Sequence, residues 1–304
     1  MDNSSNISYS DQDINVQELL SVIWAQKLLI ILATLFAGFG SIIYSLSLEN
    51  EYTSQAILTL AGQEAQSGSM GASSGQLGGL ASLAGISVGG TSNKAALAIK
   101  TIESRDFLKH LLQFEGVLST LVGIQKYNQK TQEVTYEDGF SSETTLVPDD
   151  LLFLEIYKAF RGTINLSDDS KTGLISLSVT SKSPKAAYDL AIIILRELNN
   201  VYRAEALEES SKALSYLNNK LSSTMQNEVK KSMSQVIESQ LKIQMFANIR
   251  ENYLLKPFDN AFIPDVKSGP SRSVICIVIT LSGFFIAIIS SIAAYFFTKT
   301  KTKI

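Results

Sequence analysis

The chain has 304 residues, of which 45% are hydrophobic and 18% charged, with a formal net charge of −3. One histidine and one cysteine are too few for a zinc site, and the absence of a basic excess removes the electrostatic footprint of a nucleic-acid binder. A chain of this length accommodates one or two domains.

Residues 1–27 are a polar tail that carries Asp2, Asp11, Asp13 and Glu18 and ends at Lys27. Residues 28–48, LLIILATLFAGFGSIIYSLSL, contain no charge and meet the requirement of about 20 apolar residues for crossing hydrocarbon. This run begins too far from the N-terminus, and is too long, for the ~7–15-residue apolar core of a cleaved signal peptide. It is predicted to be a retained transmembrane helix. A second uncharged run, VICIVITLSGFFIAIISSIAAYFF, predicts another at residues 273–298, followed by a short tail over 299–304. Ala33, Ala37 and Ser41 in the first run and Gly283, Ala287 and Ser291 in the second recur every fourth residue. Small residues at that spacing let two helix backbones approach closely.

Lys27, Lys299, Lys301 and Lys303 flank the spans on one side, so both termini are expected in the cytoplasm and residues 49–272 outside. Lys267 and Arg272 lie on the opposite flank and oppose that orientation. The acids and lysines of the two ends cancel, and the external segment retains the net charge of −3.

Residues 52–61 have the β-branched and aromatic content of a strand. Residues 62–90 then hold nine of the 18 glycines, among them Gly71, Gly75, Gly78, Gly79, Gly85, Gly89 and Gly90. They match neither a P-loop nor a G-x-G-x-x-G turn. The interspersed Leu77, Leu80 and Leu83 make the segment too apolar for a plain linker. A close-packed backbone held against apolar surface and an irregular insertion both fit it. From residue 93 a helical face follows, with Ala95, Leu97, Ala98, Ile102, Phe107, Leu108, Leu111 and Leu112. Residues 125–150 are polar and read as irregular, and Pro148, Asp149 and Asp150 open a short helix. TINLSDDSKTGLISLSVTS reads as a β-hairpin that turns over 168–173. Ser183 and Pro184 then supply a cap and a first helical residue.

Residues 185–256 contain neither glycine nor proline, and as one helix they would extend roughly 108 Å at ~1.5 Å per residue. A break near Asn199 and Asn200 is expected, giving helices over 185–202 and 203–255. The second carries a narrow apolar stripe of Leu207, Leu214, Leu221, Val229, Val236 and Ile243. Such a stripe must pack on its own chain or on a neighbouring copy. Pro257 ends the helix, and Pro264 and Pro270 punctuate an extended return to the second span.

Candidates for chemistry are few. His110 reads as a helix residue, and the acidic pairs at 149–150, 168–169 and 208–209 as a helix start, a turn and a solvated face. No catalytic residue, cofactor or metal site is predicted, and the chain is read as a non-enzyme.

Several stretches in this order resemble the Wzz-type chain-length determinants, also called polysaccharide co-polymerases. They are INVQELLSVIWAQKLLI leading into the first span, EYTSQAILTL, GGLASLAGISVGG followed by AIKTIESRDFLKHLL, LISLSVTSKSPKAAYDLAIIILRELNNVY, and IPDVKSGPSRSVICIVI. The resemblance implies an α+β periplasmic domain with a long projecting helix, anchored in the bacterial inner membrane by two transmembrane helices. It also implies side-by-side assembly of about eight copies into a closed ring. The implied function is non-enzymatic: an oligomeric scaffold acting on a membrane polymerase to set the chain length of a surface polysaccharide, such as O-antigen-type lipopolysaccharide. Contact with the glycan or its lipid-linked form goes with that role, and residues 62–90 would then line the base or inner wall of the ring. The alternative is a membrane adaptor for capsule or exopolysaccharide export that activates a separate tyrosine kinase.

Overall fold

The computed structural model describes residues 24–61, 91–129, 131–141, 150–169, 171–223 and 225–301. The expectations for the glycine-rich residues 62–90 lie outside these. Chain order runs α1 (Lys27–Ser47), β1 (Tyr52–Leu60), α2 (Thr91–Ile102), α3 (Arg105–Leu111) and a π-helical turn (Ser119–Gly123). It continues through β2 (Ile124–Asn128), β3 (Glu133–Tyr136), α4 (Asp150–Thr163), β4 (Ile164–Asp169) and β5 (Leu174–Ser181). Helices α5 (Pro184–Ser223) and α6 (Asn227–Ile249), strand β6 (Leu255–Asp259) and helix α7 (Arg272–Lys301) complete it. Residues 1–49 and 269–304 make one unit and residues 50–268 a second.

The second unit is α+β. Its main sheet has the order β4-β5-β1-β6 with every neighbour antiparallel. Alternation decides which face is covered: Tyr52, Ser54, Ala56, Leu58 and Leu60 of β1 are buried, as are Ile175, Leu177, Val179 and Ser181 of β5. The register sets Ala56 opposite Leu177 and Leu58 opposite Ile175, so the strands contribute matched apolar pairs to one face. Leu190, Ile194 and Leu198 of α5, Ala98 and Ile102 of α2, and Ile156 and Phe160 of α4 belong to the same core. Burying each large side chain stabilises by about 1.5–3 kcal/mol, which is what holds helices of modest intrinsic propensity in place.

Three stretches depart from the sequence expectation. The helical run after residue 93 is interrupted at Ser104, whose Oγ accepts a hydrogen bond from the Phe107 amide at 3.1 Å and so starts α3. Residues 125–150 are not irregular throughout, because β2 and β3 pair as a hairpin. Its turn places Gln132 at φ 57, a left-handed position that asparagine or glycine would have advertised.

The largest difference is in the long helical region. Asn199 is no break; it is buried inside the continuous helix α5. Its Nδ2 donates to the carbonyls of Leu195 and Leu255 at 2.9 and 3.0 Å, and its Oδ1 accepts from the amides of Leu254 and Leu255 at 2.7 and 3.0 Å. The side chain that suggested an end is a pin fastening the start of β6 to the helix. The chain reverses instead between Ser223 and Asn227, and α6 folds back along α5. Ser222 and Ser223 donate to the carbonyls three residues earlier, Asn219 and Lys220, and Gln226 is extended at ψ 120. The end of α5 thus carries neither glycine nor proline, and the extended Gln226 marks where the chain has left the helix. The arms are tied by Ser210 Oγ donating to the Gln240 carbonyl at 3.0 Å and Gln244 Nε2 donating to Ser211 Oγ at 3.0 Å. Nearer the sheet, Arg203 donates to the carbonyls of Arg250 and Glu251.

Candidate functional site

Ala37 and Gly283, one small residue from each span, meet in the first unit. A methyl group built on Gly283 would stand 2.5 Å from the Cβ of Ala37, so only glycine permits this approach of α1 and α7. Ser41, Ala287 and Ser291 are buried, while Ala33, Ala37 and Gly283 are half-buried. Three hydroxyls here bond backward along their own helices: Thr34 to the Ile30 carbonyl, Ser41 to Gly38 and Thr280 to Cys276, each at 2.7 Å, whereas Ser45 donates across to the Arg272 carbonyl at 3.5 Å. That is how a polar side chain is satisfied where water is absent. Arg272 donates to the Leu48 carbonyl at 3.2 Å, closing the unit at that end. The opposite faces are apolar and open, with Phe36 81% exposed. Both helices are long and apolar enough to cross a membrane.

The helical stripe expected to pack on its own chain or on a neighbouring copy is divided between the arms. Leu207, Leu214 and Leu221 on α5 and Val236 and Ile243 on α6 are half-buried in the folded-back pair, and Val229 is exposed. The apolar residues left outward on α6 are different ones: Leu241, Met245 and Ile249, one turn apart, are 52%, 45% and 73% exposed. Phe246 lies beside them with the Arg250 guanidinium 4.3 Å from its ring centroid. Of the return-segment prolines, Pro264 is buried in the second unit and Pro270 is half-buried in the first.

His110 is on α3 with its Nε2 3.1 Å from Glu197 Oε2. Burial alone would raise the Glu197 carboxyl. Hydrogen bonds from Arg196, His110 and Asn200 outweigh that, and its pKa is lowered. Phe107 and Phe114 enclose the imidazole, so this network joins α3 to α5 with every carboxylate oxygen engaged. Among the described residues no three His, Cys, Asp or Glu side chains converge on a point able to hold a metal.

A cleft in the second unit, about 540 Å³ in volume, has no counterpart in the sequence reading. It runs along the first turns of α5 and is walled by residues 115–120, which lead into the π-helical turn, and by β3. Tyr136 and Tyr188 line it, both half-buried, with Thr120, Glu115, Lys185 and Asp189. Removal from solvent pushes the Asp189 carboxyl up, against the opposing pull of Lys185. Its members come from three separated stretches, so no single local pattern announces it, although the alternation of Val134 and Tyr136 with polar residues is a strand signal for the β3 wall.

The family model described as "Wzz: Chain length determinant protein" matches residues 12–114. The match takes in α1, β1, residues 62–90 and helices α2 and α3, and over that stretch the resemblance noted in the sequence holds. No curated protein matches the chain. Among solved structures, a "full-length bacterial polysaccharide co-polymerase" is similar at 12% identity and a TM-score of 0.37, covering 94% of this chain and 99% of its own.

Proposed function

We propose that this chain is a non-enzymatic regulator of surface-polysaccharide chain length, placed in the bacterial inner membrane with both termini cytoplasmic and residues 49–272 periplasmic. It acts as a homo-oligomeric scaffold on a membrane-bound polymerase that builds an O-antigen-type lipopolysaccharide. The observation that supports this most directly is the chain-length-determinant match across residues 12–114, which spans the first membrane-length helix and the first strand of the external sheet. The architecture is compatible with it: two membrane-length helices bracket an α+β unit, and that unit extends a helical hairpin with an apolar outer face.

The test is an electrophoretic profile of lipopolysaccharide from cells with and without the chain. A modal cluster that collapses to a smooth distribution on deletion, and returns on complementation, supports the regulator. A cluster that persists while total exported polysaccharide falls overturns it in favour of the kinase-adaptor role.

A further inference from the structure

We propose that the cleft along the first turns of α5 binds a short, charge-balanced segment of the glycan, a step that rests on the regulatory role above and assigns it a contact. At about 540 Å³ the cleft falls within the ~300–1,000 Å³ of small-molecule sites. Its wall mixes two kinds of surface. Tyr136 and Tyr188 bring aromatic rings bearing hydroxyls, and a pyranose offers the matching surface, an axial C–H face bordered by hydroxyls. Glu115 and Asp189 supply carboxylate oxygens to accept from paired sugar hydroxyls, and Thr120 supplies a group that both donates and accepts.

Charge narrows the ligand further. Glu115 and Asp189 are opposed by Lys185 and Arg196, and Arg196 is already bonded through Nε to Glu197 at 2.9 Å. A balanced wall of this kind holds neither a nucleotide nor a polyanion tightly, because both need surplus cations. An apolar peptide would leave the carboxylates facing its hydrocarbon unpaired. Polyhydroxylated ligands pair with the carboxylates and the Thr120 hydroxyl while their C–H faces cover Val134 and the tyrosine rings. The position on α5 joins recognition to architecture, since the same helix continues into the hairpin arm.

The experiment is saturation-transfer NMR on the full chain in detergent micelles, with lipid-free polysaccharide released by mild acid from the producing cells and polyethylene glycol, which has no pyranose ring, as the control polymer. Wild type is expected to transfer saturation to the polysaccharide and not to polyethylene glycol. Tyr136→Ala and Asp189→Asn are expected to weaken binding at least tenfold at unchanged far-ultraviolet circular dichroism. Tyr216→Ala, on the exposed surface of the arm, is expected to bind as wild type does. Asp189 is on the exposed side of its helix, so its substitution preserves the fold even where a tyrosine change would not. Absence of transfer to wild type, or equal binding by both cleft variants, overturns the proposal. Deletion of the chain separates this failure from that of the regulatory role: if the modal cluster collapses on deletion while the cleft variants bind normally, only the cleft assignment falls.

Discussion

At the residue scale, the decisive feature of the span pair is one missing methyl group. Gly283 faces Ala37 at a separation that no two Cβ atoms tolerate. Gly283→Ala is therefore expected to cost about 1–3 kcal/mol through overpacking. Ala37→Gly costs less, about 1 kcal/mol, mainly from the helix propensity of glycine. Combined, the pair exchanges the methyl from one helix to the other and restores the approach. The double variant is thus expected to be more stable than the sum of the single changes by ~1 kcal/mol or more. Trp24, the only tryptophan, sits just before α1 and reports on this unit. Unfolding in a series of detergent mixtures, followed by its fluorescence, measures the cycle. Strict additivity would show that α1 and α7 do not meet through these residues. The buried Ser41 and Ser291 belong to the same four-residue pattern, and that periodicity was readable in the sequence because it depends only on side-chain size and helical spacing.

At the element scale, legibility followed the range of the interaction that makes each element. The apolar spans, β1, the β4–β5 hairpin and the Pro184 start of α5 were readable, since each is specified by composition, alternation or capping within a few residues. The reversal between Ser223 and Asn227 was not, because neither glycine nor proline marks it. Asn199 misled for the opposite reason: asparagine disfavours an isolated helix, yet here four hydrogen bonds to α5 and to the start of β6 reward it. Three of those four bonds reach residues more than fifty positions away and have no local signature. Asn199→Ala is expected to lower stability by about 2–3 kcal/mol, the cost of buried backbone groups losing their partner. Urea unfolding of the full chain, followed by circular dichroism, checks it. A change within ~0.5 kcal/mol would mean that the pin is incidental. In the β2–β3 hairpin the strand signal of Val134 and Tyr136 was legible, but a left-handed Gln132 conceals the turn, and with it the pairing that places Tyr136 at the cleft.

At the scale of the whole molecule, the folded-back arms change which residues can bring copies together. A single long helix with one narrow stripe would need a neighbour to cover Leu207, Leu214 and Ile243. In the hairpin those side chains are already half-buried, so they report on the stability of the arm. The outer row of Leu241, Met245 and Ile249 remains open and is spaced one turn apart, the pattern that seats a helix against another surface. Two variants therefore separate the roles. Leu214→Ala is expected to lower the melting temperature of the arm by removing a partly buried side chain, at a cost of roughly 1–2 kcal/mol, below that of a fully buried leucine, while leaving assembly in place. Leu241→Asp combined with Ile249→Asp is expected to keep the melting temperature and reduce the mass of the assembly, because solvated aspartates cost little in the monomer but must be desolvated between copies. Native mass spectrometry of the detergent-solubilised chain reads the second effect, and the lipopolysaccharide profile of cells carrying the same variant reads its consequence. Under the scaffold mechanism, loss of assembly and loss of the modal cluster occur together. A double aspartate variant that disassembles yet preserves the cluster would place length control within the single chain, in the cleft or in the span pair.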